Sequence, residues 1–309
     1  MADGRTVVVT GATGLIGRRL CRRLSEMGYR VVVFARNPEA ARRAAPDAAE
    51  WVAWTAAETG PWAGAVDGAH AVVNLAGAPI IGKRWSDAYK REIRDSRVVA
   101  TRGLVNAMRA AYRTPKVFVG GSAVGYYGAR DDTPLDESAA PGRDFLARLC
   151  VDWEAEALKA RDIGVRAAVI RTGIVLSDQG GALKTQLLPF RFFVGGPILP
   201  GTQWTSWIHL EDEVGIILLA LENEQAEGPF NATAPNPQTN RDFSGTIGNV
   251  LGRPDLFPVP GFALKLALGE AAGTLVTGQR AIPKHASDLG YTFQFPTSEL
   301  ALRDLLKKQ

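Results

Sequence analysis

Two periods of apolar residues alternate along the first half of this chain. Short β-branched runs at residues 6–10, 30–35, 71–75, 116–120 and 166–170, and a weaker one at 50–54, are separated by stretches with apolar residues three or four positions apart. Continuous apolar runs fit strands buried on both faces. The stretches between them predict helices at 16–27, 86–111 and 144–161. Alternation of this kind predicts an α/β fold, a Rossmann-type doubly wound parallel sheet with helices on both faces. Beyond residue 175 the pattern gives way to glycine- and proline-rich segments, then a helix near 211–222 and a helical tail. The expected organisation is a nucleotide-binding Rossmann domain at 1–175, its sheet open to further strands from the C-terminal half. A smaller substrate lobe with a C-terminal helical segment follows at 176–309.

The first strand runs through three glycines straight into a helical pattern: Thr10, Gly11, Ala12, Thr13, Gly14, Leu15, Ile16, Gly17. Each glycine has a physical role in a dinucleotide cradle. Gly11 permits the tight turn off the strand, Gly14 lets backbone N–H groups approach a pyrophosphate, and Gly17 lets the helix lie close to the sheet. The phosphates then face a helix N-terminus, where unpaired N–H groups and the helix dipole favour anions.

Composition bounds the alternatives. With 309 residues, 46% of them hydrophobic and 22% charged, the chain can bury one large core or a core plus a lobe. A net charge of +4, with arginines spread along helix faces, argues against nucleic acid as a partner. Cys21 and Cys150 fall in separate helical patterns and read as buried thiols of a reducing compartment. No apolar stretch reaches the length of a membrane span and the N-terminus has no apolar signal core, so the expectation is a cytoplasmic protein with no membrane partner. His70, His209 and His285 are scattered, and no metal site is expected; His209 reads as part of a helix-capping neighbourhood. Phe190, Phe192, Phe193, Trp204 and Trp207 read first as lobe packing and second as the lining of an apolar pocket.

The second predicted strand ends in Phe34, Ala35, Arg36 and Asn37. An acidic residue at that place accepts hydrogen bonds from a ribose 2′-hydroxyl, whereas an arginine pairs with a 2′-phosphate, so Arg36 favours NADP. The fourth strand runs into Asn74, Leu75, Ala76 and Gly77, small residues suited to close passage of a cofactor.

These segments, together with Gly121 to Gly128, Trp153 and Glu154, Arg171 to Leu176 and Trp207 to Asp212, resemble the extended and atypical short-chain dehydrogenases/reductases, a superfamily that includes nucleotide-sugar epimerases and dehydratases. The resemblance spans essentially the whole chain. It is closest to a branch of NADP-dependent epimerase-like, cell-division-inhibitor-like proteins. It implies an NADP cofactor touching the glycine turn and Ala35, Arg36, Leu75, Ala76, Glu92, Arg97 and Val175. From spacing alone, Glu92 and Arg97 read as exposed helix charges.

The superfamily's Tyr-x-x-x-Lys pair puts a phenol and an ammonium on one helix face, where the cation readies the phenol for proton exchange. Counted from Glu154, the two positions are Leu146 and Cys150, so both groups are missing. What remains near the expected nicotinamide is Ser122 with Tyr126 and Tyr127, on the loop leaving the fifth strand. Either tyrosine is a candidate proton donor; the alternative is that one packs under the cofactor and the other lines the lobe. Two functions stay open. One is an NADP-dependent oxidoreductase or epimerase-like enzyme acting on a small hydroxyl or carbonyl compound. The other is a non-catalytic NADP(H)-binding sensor or regulatory protein.

Overall fold

Val7, Val8 and Val9 have no exposed surface, with Val7 and Val9 packed on one side of a sheet and Val8 on the other. β-branched residues lose little freedom in a strand and fill both faces of the pleat, which is why this run forms a central strand. The computed structural model, which describes residues 4–57 and 59–306, builds a seven-stranded sheet on it. Its strands are β1 (Thr6–Thr10), β2 (Arg30–Ala35), β3 (Glu50–Ala53), β4 (Ala71–Asn74), β5 (Val117–Ala123), β6 (Arg166–Thr172) and β7 (Gly228–Ala232). All pairings are parallel, in the order β7-β6-β5-β4-β1-β2-β3. The strand order reverses between β1 and β4, and ligands of open α/β sheets bind outside the carboxyl ends of the strands at such a point.

Helices cover both faces, as the sequence predicts. Helix α1 (Leu15–Glu26) buries Gly17, Leu20, Cys21 and Leu24, one stripe at helical spacing, against the Val7, Val9, Val31 and Val33 face. Helix α2 (Pro38–Ala44) opens on Asn37, whose side chain accepts a hydrogen bond from the Ala40 N–H at 3.0 Å. The stretch read as one helix is two, α3 (Asp87–Asp95) and α4 (Val98–Ala110). The Ser96 hydroxyl donates to the Ile93 carbonyl at 2.9 Å, competing with the helix ladder at the break. Helix α5 (Phe145–Leu158) covers the same face as α4.

The C-terminal half contributes to the same sheet. Beyond residue 175, helices α6 (Gly181–Arg191) and α7 (Leu210–Glu222) precede β7, and α7 packs its buried Val214, Ile216 and Ile217 into the core shared with α1. Helices α8 (Asn240–Leu251) and α9 (Gly261–Leu268) follow, and the last helix is Ser298–Leu306. Asp212, at the start of α7, ties down the C-terminal segment: its carboxylate accepts from the Gln294 N–H at 2.8 Å, the Phe295 N–H at 2.9 Å and the Tyr291 hydroxyl at 3.1 Å. Among the described residues no helix is long and apolar enough to cross a membrane.

Candidate functional site

The turn from β1 into α1 is shaped by backbone proximity. Gly11 has φ of 68°, a left-handed conformation, and a Cβ there would lie 2.6 Å from the Leu75 carbonyl. A Cβ at Gly17 would lie 2.3 Å from the Gly11 carbonyl oxygen. Gly14 caps α1 without a side-chain hydrogen bond, and its own N–H donates to Gly11 O at 2.9 Å, so it closes the turn. The N–H groups of Leu15, Ile16 and Gly17 open the helix, where no intrahelical acceptor exists. The first turn carries no acidic residue, so nothing offsets its attraction for an anion.

These residues line a groove of about 370 Å³. Of the positions expected from the sequence, Gly11, Gly14, Leu15, Ile16, Gly17, Leu75 and Val175 lie on its wall. Gly173, Ile174, Gly181 and Ala182 complete it, and Gly181 belongs to the glycine-rich stretch beyond residue 175 that the sequence assigns to the lobe. Gly181 has φ of 76°, and a Cβ there would come within 3.2 Å of Leu15, so glycine lets the start of α6 close over α1. The segment Ile174–Leu176 is held in place by parallel pairing with Trp207–His209.

The remaining cofactor candidates are not among the residues that line the groove. Thr13 is exposed at the apex of the glycine turn. Ala35 and Arg36 lie at the end of β2, beside the end of β1, where Thr10 pairs with Phe34. Arg36 is exposed and has no ion-pair partner among the described residues. The Ala76 N–H donates to Thr10 Oγ1 at 3.2 Å, which ties the end of β4 to the end of β1. Gly77 faces the Arg97 guanidinium, which a Cβ would meet at 2.7 Å. Glu92 projects from the exposed side of α3, whereas Arg97 is turned inward. The Arg97 guanidinium donates to the Ala78 carbonyl at 2.9 Å and to Ile93 O at 3.1 Å, and sits over the Trp153 ring. Burial pushes this guanidinium down to about 10. Arg97 therefore braces the loop after β4.

The three candidates for chemistry differ sharply in their surroundings. Ser122 is buried, and its hydroxyl donates to Glu154 Oε1 at 2.6 Å. Glu154 forms a two-point ion pair with Arg171 of β6, both contacts at 2.9 Å, and the pair is nearly inaccessible to solvent. Arg171 Nη1 donates to the Tyr127 hydroxyl at 2.9 Å, which donates in turn to Asn231 Oδ1 of β7 at 2.7 Å. Tyr127 has no exposed surface, and burial raises its phenol to about 12 despite the opposing effects of the Arg171 charge and of the hydrogen bonds it shares with Arg171 and Asn231. Ser122 and Tyr127 thus belong to a continuous buried network linking β5, α5, β6 and β7. Tyr126 is half-buried, and its ring covers the Arg171 guanidinium at 3.5 Å. Leu146 stands beside Gly125, and the Cys150 thiol points to Ala123 O at 3.8 Å with its ionisation pushed up to about 12 by burial.

The residues matching a family model are 7–232, and the model is that of the NAD dependent epimerase/dehydratase family. The chain belongs to this family. Residues 259–305 match a second model, a domain of unknown function named DUF1731. The epimerase family protein SDR39U1 homolog, chloroplastic, of Arabidopsis thaliana is 43% identical over 304 residues, covering 98% of this chain and 87% of the relative. Epimerase family protein YfhF of Bacillus subtilis is 37% identical, covering 97% of each chain. The crystal structure of human epimerase family protein SDR39U1 (isoform 2) with NADPH superposes with a TM-score of 0.89 at 33% identity, covering 98% of this chain and 100% of that one. The extended short-chain dehydrogenase/reductase resemblance and the Rossmann-type fold read from the sequence are both borne out by these matches.

Proposed function

We propose that this epimerase-family chain binds NADP(H) and uses it in an oxidoreductase or epimerase-like reaction on a small hydroxyl or carbonyl compound, with Tyr126 exchanging the proton. The observation that carries this reading is the groove itself: side-chain-free at Gly11 and Gly17, faced by open helix N–H groups, with an unpaired Arg36 at the end of β2. When bound, the nicotinamide supplies or accepts a hydride. The N–H groups of Leu15, Ile16 and Gly17 would hold the pyrophosphate, and Arg36 the 2′-phosphate. The structure of the similar human protein with NADPH supports the same choice of coenzyme. Ser122 and Tyr127 act here as positioning residues, since their hydroxyls are engaged in the Glu154–Arg171 network. Tyr126 is the member of the trio with water access, and the Arg171 guanidinium fixes its ring.

Arg36→Ala is expected to weaken NADPH binding about tenfold or more while leaving NADH binding nearly unchanged, because one charge-assisted hydrogen bond to phosphate is lost. Thermal melts with each coenzyme read this directly, and equal losses for both would contradict the assignment of Arg36. The catalytic role is tested by following NADPH absorbance over a panel of small carbonyl compounds. Tyr126→Phe should lower turnover by roughly 10²–10⁴-fold with folding intact. Tyr127→Phe should instead lower thermal stability, because it leaves buried Asn231 and Arg171 groups short of a partner.

A second reading, a non-catalytic NADP(H)-binding sensor or regulator, is favoured by Leu146 and Cys150 at the positions of the usual phenol and ammonium. A protein that NADPH stabilises but that turns over no member of the panel would support it.

A further inference from the structure

Eight of the twelve exposed large apolar side chains among the described residues fall in two segments, 188–194 and 256–266. The two are joined by backbone hydrogen bonds from Phe257 N to Gly195 O at 3.0 Å and from Val259 N to Pro197 O at 2.8 Å. Helix α9 begins just beyond Val259, and none of its residues is buried although seven of its eight are apolar or glycine. Phe262 and Leu266, one turn apart on it, are 75% and 78% exposed. Contiguous apolar surface of this kind marks an interaction site rather than scattered surface residues.

Phe193 adds an independent sign. It is the one non-glycine residue with positive φ among the described residues, at 62°. It occupies the turn that ends α6, with its own N–H bonded to Phe190 O and the Val194 N–H bonded to Pro189 O, the position at which helices ordinarily place glycine. A bulky residue is strained there, yet its ring is half exposed and packs against the Arg253 guanidinium at 4.0 Å. The burial of that ring in the folded chain therefore does not compensate for the strain.

The charges within these segments decide the occupant. Within the two segments the charged residues are Arg191 and Lys265; their flanks, out to residues 181–196 and 250–268, add Lys184 and Arg253 against one acid, Asp255, whose Oδ1 accepts from the Ser244 hydroxyl at 2.7 Å. A second copy meeting this face through a two-fold axis would set basic rim against basic rim. The aromatic side chains project from a helix end, a loop and a short helix, and none of them lines either cleft of about 370 or 290 Å³. Projecting apolar groups in a basic surround suit a surface that yields around them and is negatively charged. The geometry points to an anionic lipid bilayer, with Phe192, Phe193, Leu256, Phe257, Phe262 and Leu266 entering the headgroup boundary and Lys184, Arg253 and Lys265 meeting lipid phosphates.

Sedimentation of the full chain with phosphatidylcholine vesicles, with and without phosphatidylglycerol, tests this. Binding is expected to the anionic vesicles and to weaken at high salt, and to fall roughly fivefold in Lys265→Ala. It should fall more than about tenfold in Phe262→Ser/Leu266→Ser, two positions too exposed for the change to perturb folding. Melting temperature and its rise with NADPH serve as the folding control for both variants. Absence of the protein from both vesicle pellets overturns the proposal, as does equal binding to neutral and anionic vesicles. A dimer in analytical ultracentrifugation that Phe262→Ser/Leu266→Ser dissociates would assign the face to a second copy and overturn it as well.

Discussion

Glutamine in place of Glu213 is expected to raise the melting temperature at pH 8 by on the order of 5 °C and to flatten the pH dependence of stability below it. Glu213 lies on α7 with no exposed surface; its Oε1 accepts from the Thr172 hydroxyl at 2.7 Å, and its Oε2 has no hydrogen-bond partner. Burial pushes the carboxyl from 4.5 up to about 8, against the smaller opposing effect of the Thr172 bond. Between those values the folded chain keeps a proton that the unfolded chain has released. The stabilisation is therefore complete below pH 4.5, declines by about 1.4 kcal/mol per pH unit as pH rises, and is lost once pH passes about 8. Glutamine preserves an acceptor for Thr172 and cannot ionise. Thermal melts of both proteins across this range decide the matter, and parallel curves would refute the assignment of a buried neutral acid. Thr172 adjoins Gly173 of the groove wall, so the same experiment with NADPH reports whether the charge reaches the coenzyme site.

Arg171→Met is expected to cost about 3–5 kcal/mol, the largest loss for a single residue of the candidate site, because it strands Glu154 as a buried, unpaired charge. Denaturant unfolding should show the whole effect. Removing the second charge in Arg171→Met/Glu154→Gln should recover part of it, since the remaining amide is cheaper to bury than a carboxylate. Recovery stays incomplete, because Tyr127 and the Glu137 carbonyl also accept from Arg171. The exposed Arg22–Glu26 pair on α1 is the natural control, since solvent screens it and its removal should change little. A loss at Arg171 no greater than at Arg22 would mean that water reaches Glu154 in the folded protein.

The features legible in the sequence are those set by local pattern. The valine runs of β1 and β2, the glycine spacing at the first turn and the apolar stripe of α1 each state their conformation within a few residues. Strand β7, Gly-Pro-Phe-Asn-Ala, gave no such signal. It is an edge strand, paired on one side, where a proline is tolerated and no β-branched run is needed. The break at Ser96 and Arg97 was hidden because the helical period continues through it; what turns Arg97 inward is the carbonyl of Ala78, distant in sequence. The Glu154–Arg171 network had one local clue, Arg171 directly after the buried apolar run Ala167–Ile170 of β6. A guanidinium buried in a strand needs acceptors there, and a carboxylate is the strongest. Which carboxylate supplied it depended on the packing of α5, and the sequence alone does not carry that.

The lateness of β7 in the chain shapes how the protein must be made. Synthesis delivers β1 to β6 well before residues 228–232 leave the ribosome, so the growing polypeptide carries an incomplete sheet with β6 as an open margin. Asn231, the acceptor for Tyr127, arrives only with that final strand. The buried network is thus completed only when that strand docks on β6, after α7 has already emerged to cover α1.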